Sequence, residues 1–359
     1  MLDLGDDHTL TPAGVPEHLG DPVAAEVLRH NTNNDATCGI WRIRGTAGSA
    51  VLKVYNPPPH GDPSLYWPTS DDPAHWNYWR REELAYTSGL AATAFDGVTV
   101  PEVLASHHRD DGRVELWLGE ESGAEGFAWT VPRLARFAYE LGAGQARWAG
   151  RVPDTPWLSR DWLTSYLAEG PSRSVDPAPA RWDDPRAAVW PAFVRERLRR
   201  LWAERGVALK AARAAERTLC HLDVWPANLI DADGRSVLLD WSFVGEGALG
   251  EDIANLVVDS FTDGLMDPGL LPELAEQAVD AYVAGLADGG WTGSPDAVRT
   301  AVKACGAAKY SWFAPAVLDR AVRDDVGTSN YARDTDPEAL LRRVAGLVGL
   351  IADWWEDAS

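Results

Sequence analysis

The spacing of apolar residues changes once along this chain, near Glu121. Before it, strand-like runs place apolar residues at every second position; after it, they recur at every third or fourth. Strands and helices bury one face with these different periods, so the change confines the chain to a strand-rich part followed by a helical one. "ATCGIWRIRGTAGSAVLKVYN" (36–56) alternates in two runs about a Gly-containing turn and predicts a β-hairpin. "HGDPSLYWPTSDDPAHW" (60–76), dense in Pro, Asp and Ser, predicts a loop or insertion. "WNYWRREELAYTSGLAA" then predicts a helix with Trp79, Glu83 and Tyr86 at i, i+4 and i+7. Runs at 99–106 and 113–118 predict two strands joined by "RDDG".

Beyond Glu121, "TVPRLARFAYELGAGQARWAG", "WLSRDWLTSYLAEG" and "WPAFVRERLRRLWAERG" have helical spacing, as does most of 251–359. "PSRSVDPAPA" (171–180) predicts a surface loop. "LIDADGRSVLLDWSF" predicts a short hairpin turning on "DADG". With 359 residues, two lobes are expected rather than one small core. The divisions fall at 1–118, a hinge at 119–122 (close to Leu118–Glu121), and 123–359. The fold class is α+β, a small antiparallel-sheet lobe and a larger helical one.

A net charge of −21 and a pI near 4.7 repel nucleic acid and anionic membranes and draw cations. An anionic nucleotide remains compatible with that field where a Lys and a metal ion neutralise its phosphates. Eighteen Trp residues exceed the needs of a core of this size, so most are expected in the core and several along a ligand cleft. Cys38, Cys220 and Cys305 are scattered and form no CxxC or CxxH pair, which indicates neither a disulfide framework nor a zinc site. "MLDLGDDHTL" lacks the basic and apolar regions of a signal peptide, and "VAGLVGLIADWW" is too short for a membrane span. A cytoplasmic location is expected.

One segment carries the densest chemistry. "CHLDVWPANLI" (220–230) holds His221, Asp223 and Asn228 among apolar residues, and Asp240 follows at the end of a strand in "LLDWS". Lys53 stands in a strand run, "AVLKV", and Glu82 and Glu83 sit on the helix after it, in "RREELAY". Each piece alone has an ordinary explanation: a surface lysine, a capped turn, a strand end before a core Trp. Found together in this order, with a lobe boundary between Lys53 and Asp223, they form a strong signal.

In these motifs, over roughly 35–260, the chain resembles the aminoglycoside phosphotransferase family of the protein-kinase-like superfamily. The resemblance implies a protein-kinase-like bilobal fold and an ATP- and Mg2+-dependent phosphotransferase with an alcohol group as acceptor. Phosphoryl transfer has a loose transition state, so such an enzyme positions groups and neutralises charge. Lys53 would hold the α- and β-phosphates, oriented by Glu82, which matches "RRE" in related sequences better than Glu83 does. Asp240 and Asn228 would ligate Mg2+. Asp223 would be the general base, with His221 holding the loop near Asp240. Leu118 and Glu120, in the hinge, would read the adenine edge through their main chain.

Two departures from the kinase pattern matter. No GxGxxG is present; "HNTNNDATCGIW" stands in its place, so Asn33 and Asn34 are the expected phosphate-capping residues. His-Leu-Asp replaces the His-Arg-Asp of regulated protein kinases and no Ala-Pro-Glu follows, which points to the phosphotransferase branch. Asp252, in "GEDIANL", matches a family Asp expected beside the catalytic loop.

The acceptor is open to three readings: a hydroxyl of an aminoglycoside, amino sugar or similar small molecule; Ser/Thr of a peptide in lanthipeptide-like biosynthesis; or no acceptor, in a nucleotide-binding pseudokinase. The intact Lys53, Asp223, Asn228 and Asp240 count against the last. Trp148, Trp157, Trp162, Tyr166, Trp182, Trp190 and Phe193 are expected acceptor-wall residues. Glu251, Asp259 and Asp263 are read as a solvated acidic face that a cationic acceptor would also suit.

Overall fold

A computed structural model of the protein describes residues 12–58, 67–175, 179–323 and 336–358. The N-terminal part runs β1 (Pro22–Val27), β2 (Thr37–Gly45), β3 (Ser49–Tyr55), α1 (Arg81–Thr87), α2 (Leu90–Thr93), β4 (Val98–Thr99), β5 (Val103–His108) and β6 (Val114–Gly119). Five of these strands form one antiparallel sheet in the order β1-β2-β3-β6-β5. Alternation along β3 explains its two faces. Leu52 and Val54 pack with Trp41, Ile43, Trp117 and Leu19, while Tyr55 joins the larger core on the other face. Lys53 alternates with Leu52 and Val54, and is itself buried at 4 % exposure.

Past Gly119 the chain leaves this sheet. It continues through β7 (Ala124–Glu125), α3 (Val131–Ala146), α4 (Trp162–Glu169), α5 (Ala192–Ala203), α6 (Arg205–Arg213), β8 (Arg217–Cys220), β9 (Leu229–Ala232), β10 (Arg235–Leu238), β11 (Gly245–Ala248) and α7 (Glu251–Thr262). Then come α8 (Leu271–Asp288), α9 (Pro295–Lys309), α10 (Phe313–Val322), α11 (Pro337–Arg343) and α12 (Ala345–Ala358). Thus the α+β class and the sheet-then-helix order agree with the sequence. The β9–β10 hairpin turns through Asp233 and Gly234, both at positive φ (53° and 84°), as a tight two-residue hairpin turn requires.

Two small sheets follow, the first of which joins the parts. β4, from before the expected division, pairs in parallel with β10, and β7 pairs with β9, giving the order β4-β10-β9-β7. β8 pairs with β11. β11 reads "GEGA", which carries no strand signature. Its Gly245 is needed for close approach: a Cβ there would lie 2.2 Å from the Ser159 carbonyl oxygen.

Other expectations need correction. The helix expected from residue 76 begins only at Arg81. The carbonyls of Pro73, His75 and Trp76 are taken by the Arg81 guanidinium, which holds this stretch out of a helix. Residues 171–174 form a 3-10 turn rather than open loop, and 59–66, 176–178 and the N-terminal 1–11 lie outside the described residues. Among the described residues no helix is long and apolar enough to cross a membrane. Cys38, Cys220 and Cys305 are buried and unpaired.

Candidate active site

Three chain segments meet around Lys53. From β3, its Nζ donates to Glu82 Oε2 on α1 at 2.5 Å and lies 3.3 Å from Asp240 Oδ2, just past β10. Burial opposes the ammonium charge, but the carboxylates of Asp240 and Glu82 outweigh it and hold Lys53 above the usual lysine range. Burial also pushes the Glu82 carboxyl up, against the pull of Lys53. Glu83 points elsewhere, to Arg80 at 3.0 Å and toward His108 at 3.6 Å. The ion pair therefore forms with the glutamate expected from the motif.

Ser242, which no motif reading singled out, ties Asp240 to Glu82. Its Oγ lies 2.6 Å from Asp240 Oδ1 and 3.1 Å from Glu82 Oε2. Arg81, also missed, is fully buried and, among the described residues, donates to main-chain carbonyls, including Trp157 (2.8 Å) and Ser242 (3.3 Å) in the C-terminal part. Burial pulls its pKa down to about 9. It thereby fastens the helix that carries Glu82 to residues 73–76 and to the C-terminal part.

The loop after β8 is over-determined. Leu222 has φ 69° and Asp240 φ 58°, conformations that cost non-glycine residues on the order of 1–3 kcal/mol each. Leu222 is held on both sides: Asp252 accepts from the His221 and Leu222 N–H groups at 2.9 and 2.7 Å, and Asn255 Nδ2 donates to the Leu222 carbonyl at 3.1 Å. Gln145 completes the set on Asp252 at 2.7 Å. His221 Nδ1 accepts from the Asp223 N–H (3.3 Å), so Nε2 carries the proton and donates to the Leu239 carbonyl (3.0 Å). Burial lowers the His221 pKa to about 4, which keeps the ring neutral. Asp252 is pushed up to about 6 by burial, opposed by those N–H donors.

Asn228 Nδ2 donates to both the carbonyl (2.9 Å) and Oδ2 (3.0 Å) of Asp223. Loss of water around the Asp223 carboxyl, with repulsion from Asp240, raises its pKa to about 7; Lys309 and the Asn228 hydrogen bond act the other way. Asp240 lies below the usual carboxylate range: burial would raise it, but the Lys53 charge and the Ser242 hydrogen bond outweigh that effect. Asp223 and Asp240 are thus shifted in opposite directions, the first by loss of water and charge repulsion, the second by Lys53 and Ser242.

The remaining expected residues stand further out. Glu120 accepts from Arg42 Nε at 2.6 Å and from Ser49 Oγ, so its side chain is held on the sheet. Leu118 is buried within β6, opposite Val51 and Val103, and the irregular chain begins at Glu120. The polar turn is closed on itself: Asn34 Oδ1 accepts from the Ala36 N–H (3.2 Å) and Asn77 Nδ2 (3.1 Å), and the Asn33 N–H donates to Asn31 Oδ1 (3.0 Å). The Asn34 amide is therefore engaged away from Lys53.

Of the expected wall residues, Trp162 and Tyr166 stack at 4.7 Å within an aromatic cluster with Trp67, Trp76 and Phe243. Trp190 is instead fully buried and donates to the Leu341 carbonyl, and Phe193 is 61 % exposed. Glu251 is buried with its Oε2 on the Ala248 N–H, which removes it from any solvated acidic face.

The sequence profile of the phosphotransferase enzyme family matches residues 39–292. The chain belongs to that family. This phosphotransferase has the α+β, protein-kinase-like fold of the aminoglycoside phosphotransferases. An aminoglycoside phosphotransferase from Alicyclobacillus acidocaldarius subsp. acidocaldarius DSM 446 is 17 % identical with a TM-score of 0.52, over 98 % of this chain and 95 % of that one. Amicoumacin kinase hAmiN, in complex with AMP-PNP, Ca2+ and Ami, is 10 % identical with a TM-score of 0.51, over 90 % and 87 %. A search of curated proteins returns no significant match. At these identities the likeness is one of fold.

Proposed function

We propose that this phosphotransferase moves the γ-phosphate of ATP, with Mg2+, to a hydroxyl of a small molecule such as an aminoglycoside, an amino sugar or a similar metabolite. The observation that carries the reading is the convergence of Lys53, Glu82 and Asp240 beside an Asp223 whose proton affinity sits near neutrality. Lys53 would exchange its contact with Asp240 for the α- and β-phosphates while Glu82 keeps it aimed. The main chain at 119–122 would meet the adenine edge, and the turn carrying Asn33 and Asn34 would lie over the phosphates.

The donor set fits Mg2+. Among the described residues no group of three or more His, Cys, Asp or Glu gathers as a metal cluster. Asp240 and the Oδ1 of Asn228, whose Nδ2 is spent on Asp223, offer two hard oxygens, and Mg2+ takes one or two such ligands beside phosphate oxygens and water. When bound, the ion would neutralise charge on the transferring phosphoryl group. Asp223 would orient the acceptor hydroxyl and take its proton late, and His221, neutral, would keep the loop in place.

Incubation with Mg2+ and ATP against small-molecule alcohols and Ser-containing peptides tests this, with phosphomonoester formation as the readout. Small-molecule phosphomonoesters that vanish in Asp240→Ala at every Mg2+ concentration are expected. Products on peptides alone would overturn the acceptor assignment.

A further inference from the structure

Behind the catalytic loop, a run of buried groups forms one hydrogen-bonded chain that the phosphate chemistry does not use. The Gly250 N–H, just ahead of α7, donates to the Tyr282 hydroxyl on α8 at 3.2 Å. That hydroxyl donates to Gln145 Oε1 on α3 at 2.6 Å, and Gln145 Nε2 donates to Asp252 Oδ2 on α7 at 2.7 Å. The two ends fix the direction of the chain. A main-chain N–H can only donate and a carboxylate can only accept, so every link between them points toward Asp252. Burial pushes the Tyr282 hydroxyl well above the usual tyrosine range, so it keeps the proton it donates. Tyr282, Gln145 and Asp252 are all fully buried. Their reach depends on close packing of α3 against α8. Gly142 allows it, since a Cβ there would lie 2.4 Å from the Tyr282 carbonyl oxygen.

Asp252 passes the constraint on. Its oxygens accept from Gln145 and from the main-chain N–H groups of His221 and Leu222. Leu222, at φ 69°, directly precedes Asp223, so its backbone sets where the Asp223 carboxyl stands. A strained residue keeps its conformation only while the groups around it are held, and loss of the Gln145 link frees the Asp252 carboxylate to turn. We propose that Gln145 and Tyr282 are positioning residues for phosphoryl transfer: they hold Asp252 in the orientation that keeps Leu222 strained and Asp223 in place. Being fully buried, they touch neither nucleotide nor acceptor. The inference rests on the phosphotransfer reading above, because it gives these residues a share in the step that Asp223 performs. Thr218 separates this role from ordinary packing. It is equally buried, and its Oγ1 donates to the Gln145 main-chain carbonyl at 2.9 Å, which the Trp148 N–H also reaches at 3.0 Å. Removing that hydroxyl disturbs the same region and leaves the side-chain links to Asp252 whole.

The test supplies the full chain with Mg2+ and ATP and, as acceptors, glucosamine, kanamycin and propanediol. Tyr282→Phe and Gln145→Met are compared with Thr218→Val, each at a temperature where urea titration shows it folded. In the first two, kcat is expected to fall about tenfold on whichever acceptor reacts, with KM for ATP within about twofold of the wild type. Hydrogen exchange at the His221 and Leu222 amides should quicken in the same two variants. Thr218→Val should lose stability but keep the wild-type kcat and the wild-type exchange at those amides. Tyr282→Phe removes one oxygen from a ring that otherwise stays packed, so it decides the matter if Gln145→Met does not fold. A folded Tyr282→Phe with the wild-type kcat overturns the inference and leaves the phosphotransfer reading standing. So does an equal fall of kcat in Thr218→Val, which would mean that any loosening of this region slows the reaction. ATP hydrolysis by the wild type with no phosphomonoester of any acceptor removes the phosphotransfer reading, and this inference with it.

Discussion

Lys53 and Glu82 form a buried ion pair across two elements, Nζ to Oε2 at 2.5 Å, and the third corner is Asp240. Neither residue is rigid alone: the lysine is a charge on a four-carbon stem, and α1 is only seven residues long. Their fixed geometry comes from outside the pair, through Ser242 and through Arg81, which joins α1 to the carbonyls of Trp157 and Ser242.

Lys53→Met is expected to lower kcat about 100-fold while KM for ATP rises only a few-fold, because misplaced phosphates cost more in the transition state than in binding. Glu82→Gln should be milder, since the amide oxygen can still accept from the ammonium and Lys53 keeps its charge for the phosphates. Steady-state kinetics with varied ATP separates the two; a pure KM effect in Lys53→Met would contradict the role given to it.

Acid should remove the stabilising contribution of the neutral His221. Its pKa falls from 6.5 to about 4 on folding, so the unfolded chain binds the extra proton. The stabilisation from the neutral ring is present above pH 6.5 and lost as pH falls through about 4. At 1.4 kcal/mol per unit this is roughly 3 kcal/mol. The raised Asp223 and Asp252 carboxyls act in the opposite sense over the same range. The His221 contribution is therefore read as the difference in urea-unfolding free energy between the wild type and His221→Asn from pH 7 to 4. A difference that stays constant would contradict it.

Asp252→Ala removes the acceptor of the His221 and Leu222 N–H groups and of Gln145. A loss of about 2–4 kcal/mol is expected from the buried donors left unpaired, with turnover falling alongside because the strained Leu222 is released. Asp252→Asn, which keeps one acceptor oxygen, should lose less on both counts. Denaturant titration and kinetics on the same samples give the comparison.

The parts of this site legible in sequence are those fixed by local spacing. His221, Asp223, Asn228 and Asp240 lie on one loop and one hairpin, and Lys53 on a strand with clear alternation. What sequence missed depends on partners far along the chain. Ser242 is an ordinary residue until Glu82 is brought within 3.1 Å of it, and Arg81 resembles a surface arginine until five carbonyl contacts close around it. Gln145 and Tyr282 lie 137 positions apart, on helices whose patterns show only packing. β1 was missed because its Val23 and Val27 are exposed, and β11 because close approach to Ser159 requires glycine. The expected acidic face failed for a similar reason: Glu251 is a buried acceptor for the turn before α7, not a solvated group.

The most direct test compares the wild type with Asp223→Asn, measuring phosphomonoester formed on a small-molecule alcohol and, separately, binding of Mg2+ and ATP. Nucleotide binding should be unchanged within a few-fold while transfer falls by about 10²- to 10⁴-fold, the range expected for loss of a general base. Transfer by the variant at the wild-type rate would contradict the account.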